Sequence, residues 1–174
     1  MIVDTLAGAL VVYGTVLPWA NEKGDDRQSK MWQVHYQQIE RQGAEWRQLR
    51  TLHPDASLIV AGDFNQDRDG SNWYGTRRGR ELLTKALDEA ELVCLSEEDV
   101  VAAGKLSASH LVDHIAVSRV WASTFDAHLA CWEKTDQDGV RLSDHPTVAV
   151  DSTPRPETAS PLRSETGNST ALQP

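Results

Sequence analysis

The stretch Ala56-Ser57-Leu58-Ile59-Val60-Ala61-Gly62-Asp63-Phe64-Asn65-Gln66-Asp67 decides how this chain is read. Its apolar run, Leu58 to Ala61, is too short for a helix and is bounded by Pro54 and Gly62, so it predicts a strand buried on both faces. A carboxylate and a carboxamide follow two residues apart, Asp63 and Asn65. In an extended segment they point the same way, because side chains alternate with period two. One anion and one neutral amide sharing a strand end suit phosphate chemistry. The carboxylate can hold a hard cation or a water, and the amide donates to a phosphoryl oxygen without charge repulsion. Gly, Asp and Asn are also ordinary turn residues, and these positions alone do not separate the two readings.

Working outward, 174 residues suit one domain with a real core, and 40% hydrophobic with 25% charged residues is ordinary for a globular protein. A net charge of −9 argues against a broad basic surface for nucleic acid or acidic lipid. A bound cation would still let an acidic site act on a phosphate. Cys94 and Cys131 stand alone, without CxxC or a spaced His, and read as buried thiols rather than zinc ligands or a disulfide framework. The N-terminal stretch is apolar but lacks a basic region and carries Asp4, which argues against a signal peptide. No segment reaches the roughly 18 to 20 apolar residues of a membrane helix, so a cytoplasmic protein is expected.

Upstream, Leu10-Val11-Val12-Tyr13 predicts a strand running out through Thr15 to Trp19, and residues 29–52 predict an amphipathic helix capped by Ser29, with Gly43 dividing or weakening it. Trp32 and Trp46 read as core, and His35 and His53 as surface or capping histidines. Downstream of Asn65 lies a long loop rich in Gly, Asp and Asn. Arg77, Arg78 and Arg80 follow, read as a solvated helix start or a phosphate contact. A short helix over residues 80–90 and a strand over 92–95 come next. Asp113 interrupts the apolar strand His110 to Ser118, a costly placement that demands a partner. Ser143-Asp144-His145 opens a further strand ending at Val150, whose first residues tolerate Pro146. From residue 152 the composition turns to Pro, Ser, Thr and Glu, which predicts a domain over 1–151 and a disordered tail over 152–174.

Three punctuated strands in this order, Gly62-Asp63-Phe64-Asn65, Val112-Asp113-His114-Ile115 and Ser143-Asp144-His145-Pro146, resemble the endonuclease/exonuclease/phosphatase superfamily. These are metal-dependent phosphohydrolases that include the DNase I-like nucleases and the sphingomyelin and inositol phosphate phosphatases. The resemblance covers Leu10 to Val150 and implies an α/β fold: a DNase I-like four-layer β-sandwich flanked by helices, of which this is the C-terminal half. It also implies divalent-metal-dependent hydrolysis of a phosphodiester or phosphomonoester in a nucleic acid or a small phosphate ester. His145 would act at the scissile phosphate and Asp113 would orient its ring. Asp63 would position water or protonate the leaving group, Asn65 would hold the phosphate, and Asp144 with Asp63 would bind Mg²⁺ or Mn²⁺. His114 is a packing residue on this reading.

Two departures stand beside the match. The family's early Asn and metal-binding Glu have no counterpart in the matched region, where Glu22, Glu40 and Glu45 sit in the wrong context. Val16 stands where the family often has His or Tyr. Together they keep a second reading in view, a catalytically impaired remnant or interaction module. Half a sandwich also exposes sheet edges, which implies self-association or a partner chain that completes it.

Overall fold

The structure, a computed structural model, describes residues 1–5, 8–25 and 27–156. Its elements are β1 (Ile2–Thr5), β2 (Gly8–Val16), α1 (Gln33–Leu52), β3 (Ser57–Asp63), α2 (Arg77–Glu89), β4 (Leu92–Cys94), β5 (Asp113–Ser118), α3 (Arg119–Thr124), β6 (Phe125–Trp132) and β7 (Thr147–Pro154). Five strands form one mixed sheet in the order β1-β2-β3-β5-β4, and β6 pairs β7 in a second. The fold is therefore α/β. β3 lies at the centre, parallel to β2 and antiparallel to β5, but its apolar run is buried on one face only, with Leu58 and Val60 inside and Ile59 and Ala61 half-buried.

Helices α1 and α2 cover one face of the large sheet. Leu58 and Val60 of β3 and Val11 of β2 meet Ile39, Trp46, Leu83 and Leu87 there, all buried. Gly43 neither divides nor merely weakens α1: a Cβ at this position would approach the Ala86 Cβ to 2.8 Å, so its bare backbone is what lets the two helices close. The opposite face, carrying Val12, Ile59, Ala61 and Ile115, is only half-buried. A smaller cluster of Val100, Leu106 and Leu111 joins the second sheet through Leu129, Cys131 and Val148.

Several local expectations change. The Ser29 cap is not used; α1 begins after Trp32, whose backbone is left-handed at φ 68° and offers no side-chain cap. His35 is fully buried rather than on the surface, because its Nδ1 lies 2.7 Å from the Pro18 carbonyl oxygen and its ring packs edge-on against Trp32. α2 starts three residues early, with the Thr76 hydroxyl accepting from the Gly79 N–H. β7 runs on to Pro154, and Arg155 bonds back to Asp126 at 2.7 Å, so residues 152–155 belong to the folded part. The expected tail from 157 onward lies outside the described residues. Both cysteines are free thiols, Cys94 buried and Cys131 half-buried. No helix among the described residues is long and apolar enough to cross a membrane.

Candidate active site

The central strand delivers the first group. Asp63 is the last residue of β3 and shares the half-buried face with Ile59 and Ala61, while Asp113 opens β5 on the same face as Ile115. The ladder pairs Asp63 directly with Asp113. Gly62 makes this possible: at φ 140° a Cβ would run into the Thr15 carbonyl oxygen of β2, so only glycine lets the strands stay in register at this point. Two carboxylates side by side repel. Burial first, then the neighbouring Asp113 and Asp144 carboxylates, hold the Asp63 carboxyl above its ordinary range, against the Asn65 backbone N–H and His145, which pull it down.

Asn65 does not continue the strand. At φ 46° it turns into the left-handed region, and its proximity to Asp63 comes from an Asx turn rather than from period-two alternation. The Asn65 N–H donates to Asp63 Oδ1 at 2.7 Å, and the side-chain amide donates to Asp63 Oδ2 at 2.6 Å and to the Leu17 carbonyl at 2.9 Å. Both amide hydrogens are thus engaged. In this arrangement Asn65 fixes the Asp63 carboxylate.

His145 arrives from the second sheet, two residues before β7, on a turn closed by its N–H donating to the Ser143 hydroxyl at 3.2 Å. Its Nδ1 lies 2.8 Å from Asp113 Oδ2, which supplies the partner that the interrupted apolar run demanded. A carboxylate can only accept, so Nδ1 carries the proton and Nε2 is left as the basic atom. Ligand atoms of Asp63, Asp113 and His145 all lie within 4.8 Å of one another, a set able to hold a metal ion. Asp144 is exposed and outside that group, although it lines the same cleft and adds to the field on Asp63.

The cleft encloses about 800 Å³ and is bordered by Asp63, Asn65, Asp144 and His145, by Glu22, and by Trp19, Trp73, His110 and Lys134, to which the sequence reading gave no role at the site. Glu22 therefore does reach the cleft, whereas Glu45 is held by the Tyr13 hydroxyl at 2.6 Å. Val16 also lines it, 71% exposed. The arginine cluster serves the fold instead. Arg80 pairs with buried Asp67 at 2.7 Å, the Arg78 guanidinium sits 4.7 Å above the Tyr36 ring, and Arg77 faces Glu81 within α2. His114 packs as expected, fully buried against Phe64, with Nδ1 2.9 Å from the Ser96 hydroxyl and Nε2 2.9 Å from the Gln66 carbonyl.

No known family model matches the chain, and no curated protein does. Among solved structures it is similar to the endonuclease domain of TRAS1, a telomere-specific non-LTR retrotransposon, at TM-score 0.46 and 20% identity over 90% of this chain. The chain spans 62% of that one's length, and likeness at this level transfers neither activity nor substrate to it.

Proposed function

We propose that this chain is a divalent-metal-dependent phosphoesterase, and the observation that carries the reading is the His145–Asp113 pair, 2.8 Å apart, beside the ladder-paired Asp63. With Nδ1–H held by Asp113, His145 Nε2 is an acceptor at the cleft wall, suited to take a proton from water or to hold one toward a phosphoryl oxygen. Asp113 keeps the ring in this tautomer and offsets the positive charge that proton uptake creates. Asp63, ladder-paired with Asp113, is suited to orient the attacking water.

The donor set suits a hard cation: ligand atoms of Asp63, Asp113 and His145 lie within 4.8 Å of one another, and a divalent ion would offset the repulsion that Asp113 and Asp144 add to the burial of Asp63. Mg²⁺ or Mn²⁺, held by Asp63 with Asp144 or Asp113, would polarise the phosphoryl group and neutralise developing charge. Cys94 and Cys131, both free, suit a reducing cytoplasmic compartment.

The test is hydrolysis of bis(p-nitrophenyl) phosphate with Mg²⁺, Mn²⁺ or EDTA by wild type, His145→Ala and Asp113→Asn. Metal-dependent turnover that each substitution lowers by at least about 10²-fold supports the reading. The observation on the other side is Val16, an apolar side chain on the cleft wall. It favours a catalytically impaired remnant or interaction module, and turnover no better than His145→Ala under every metal would select that alternative.

A further inference from the structure

Resting on the phosphoesterase reading, we infer that the cleft has a nucleobase-stacking subsite on Trp73, so that its substrate is an unpaired, single-stranded segment of nucleic acid.

An indole facing water forfeits the stabilisation that covering it would bring, and two half-exposed tryptophans, Trp19 at 52% and Trp73 at 58%, border the same cleft as the His145–Asp113 pair. Trp73 is also rigidly mounted. Its ring stacks on His110, centroids 5.7 Å apart with planes inclined by 29°, and is tilted against Tyr74 at 5.9 Å. His110 is anchored in turn by its Nδ1, 2.8 Å from Oδ2 of Asp69, whose side chain is 5% exposed.

Beneath, the loop is fixed by polar contacts. The Trp73 N–H donates to the Ser71 hydroxyl and the Ser71 N–H to Asp69 Oδ1. Buried Asp67 accepts from the Tyr74 N–H, and Arg80 closes that pair from α2. A platform held in place from below and open above loses little side-chain freedom when a flat ring settles on it, which is the condition for useful stacking. Every base offers a π face, and within a duplex stacked neighbours cover it, so an unpaired strand presents it most readily.

Charge sets the condition that such a ligand must meet. A chain of net charge −9, with Lys134 as the one lysine or arginine on the cleft wall among the described residues, repels a polyanion beyond its immediate site, so affinity for a strand must come from a non-ionic contact. Stacking supplies one that salt does not screen. Each stacked base contributes an affinity factor of roughly 5 to 150, whereas a single-stranded ligand's salt slope grows by only about 0.7 per neutralised phosphate.

The experiment measures binding of four probes to the His145→Ala protein with Mg²⁺, so that turnover does not intervene: a thymidine octamer, an abasic octamer carrying the same phosphates, an eight-base-pair duplex and a uridine octamer. The thymidine octamer is expected to bind at least fivefold more tightly than the abasic one, with a shallow salt slope, and the uridine octamer to match it. Adding Trp73→Ala should erase the preference, while Trp73→Phe keeps most of it at unchanged thermal stability. Equal binding of thymidine and abasic probes, undiminished preference in Trp73→Ala, a duplex bound as tightly as the single strand, or more than a tenfold gap between the two sugars would each overturn the subsite. None of these outcomes touches the hydrolysis assay above, so failure of the subsite and failure of the phosphoesterase reading remain separate results.

Discussion

Replacing Arg80 by methionine removes one partner of an ion pair whose other partner cannot reach water. The Asp67 side chain is fully buried, and Arg80, 23% exposed, meets it at 2.7 Å. What remains to the carboxylate are three long contacts of 3.3 Å each, from the Gln66 side-chain amide, the Ser71 hydroxyl and the Tyr74 N–H. Stranding a buried charge costs about 3 to 5 kcal/mol, and the partial exposure of the arginine, which admits some water, places this case near the lower end. For a chain of this size a loss of about 3 kcal/mol lowers Tm by roughly 6 to 12 °C. Asp67→Asn in the same background removes the stranded charge yet keeps an acceptor for the Tyr74 N–H, so the double variant should recover more than about 1.5 kcal/mol relative to additivity. Urea unfolding followed by tryptophan fluorescence, alongside calorimetry, measures all three variants. If Arg80→Met unfolds within about 1 kcal/mol of wild type, or if the two substitutions add without coupling, the pair does not hold the loop that carries Trp73 and the assignment of the arginine cluster to the fold fails.

Burial pushes the His114 imidazole down to about 4 from 6.5, and that of His35 in the same direction. The unfolded ring takes up its proton near pH 6.5 while the folded one resists until near 4, so stability is full above 6.5 and falls with acidification through that window. For His114 the loss is about 3 kcal/mol. His114→Gln should flatten the fall in denaturation midpoint between pH 6.5 and 4, and an unchanged slope would contradict its neutral burial. Mg²⁺ at a hundred times its dissociation constant should stabilise the chain by about 2.7 kcal/mol, an effect lost in Asp63→Asn; equal shifts in both would place the ion elsewhere. Val148→Ala trims the contact joining β7 to the small cluster at Val100 and Leu106. It should lower kcat at least tenfold with KM little changed, because it loosens the strand that presents His145; an unaltered kcat would show that the presentation does not depend on this packing.

The parts of the site legible in the sequence are those where a local rule forces a distant consequence. Asp113 inside an apolar run demands a partner, and His145 provides it. The apolar run Leu58 to Ala61 can only be a central strand, and β3 is one. Expectations failed where the partner is backbone or the conformation changes within one residue. His35 has a carbonyl for its anchor, which leaves no trace in the residue types. Asn65 was placed by extending the strand past Gly62, but the chain turns there. The ring pair of Trp73 and His110 joins residues 37 positions apart with no motif between them, as does the His110–Asp69 contact at a separation of 41. β6 carries no signal of its own, because its exposed and half-buried residues run in blocks rather than alternating, so neither period stands out.

The site occupies the seam between the two sheets. Asp63 and Asp113 are fixed relative to each other by ladder register, which tolerates no slip without turning both side chains to the helix-covered face. His145 belongs to the other sheet and is tied to them by its bond to Asp113 and by the packing of Leu129, Cys131 and Val148 on the small cluster. The large core therefore fixes the acidic half of the site, while a much smaller contact fixes the basic half. At that seam burial, and after it the crowding by the Asp113 and Asp144 carboxylates, raises the Asp63 carboxyl and works against the fold. The same crowding is what a divalent cation would relieve, so the energy withheld from stability reappears as cation affinity. Binding the ion would also draw Asp63 and Asp113 together with His145 across the seam, where packing alone holds them least firmly.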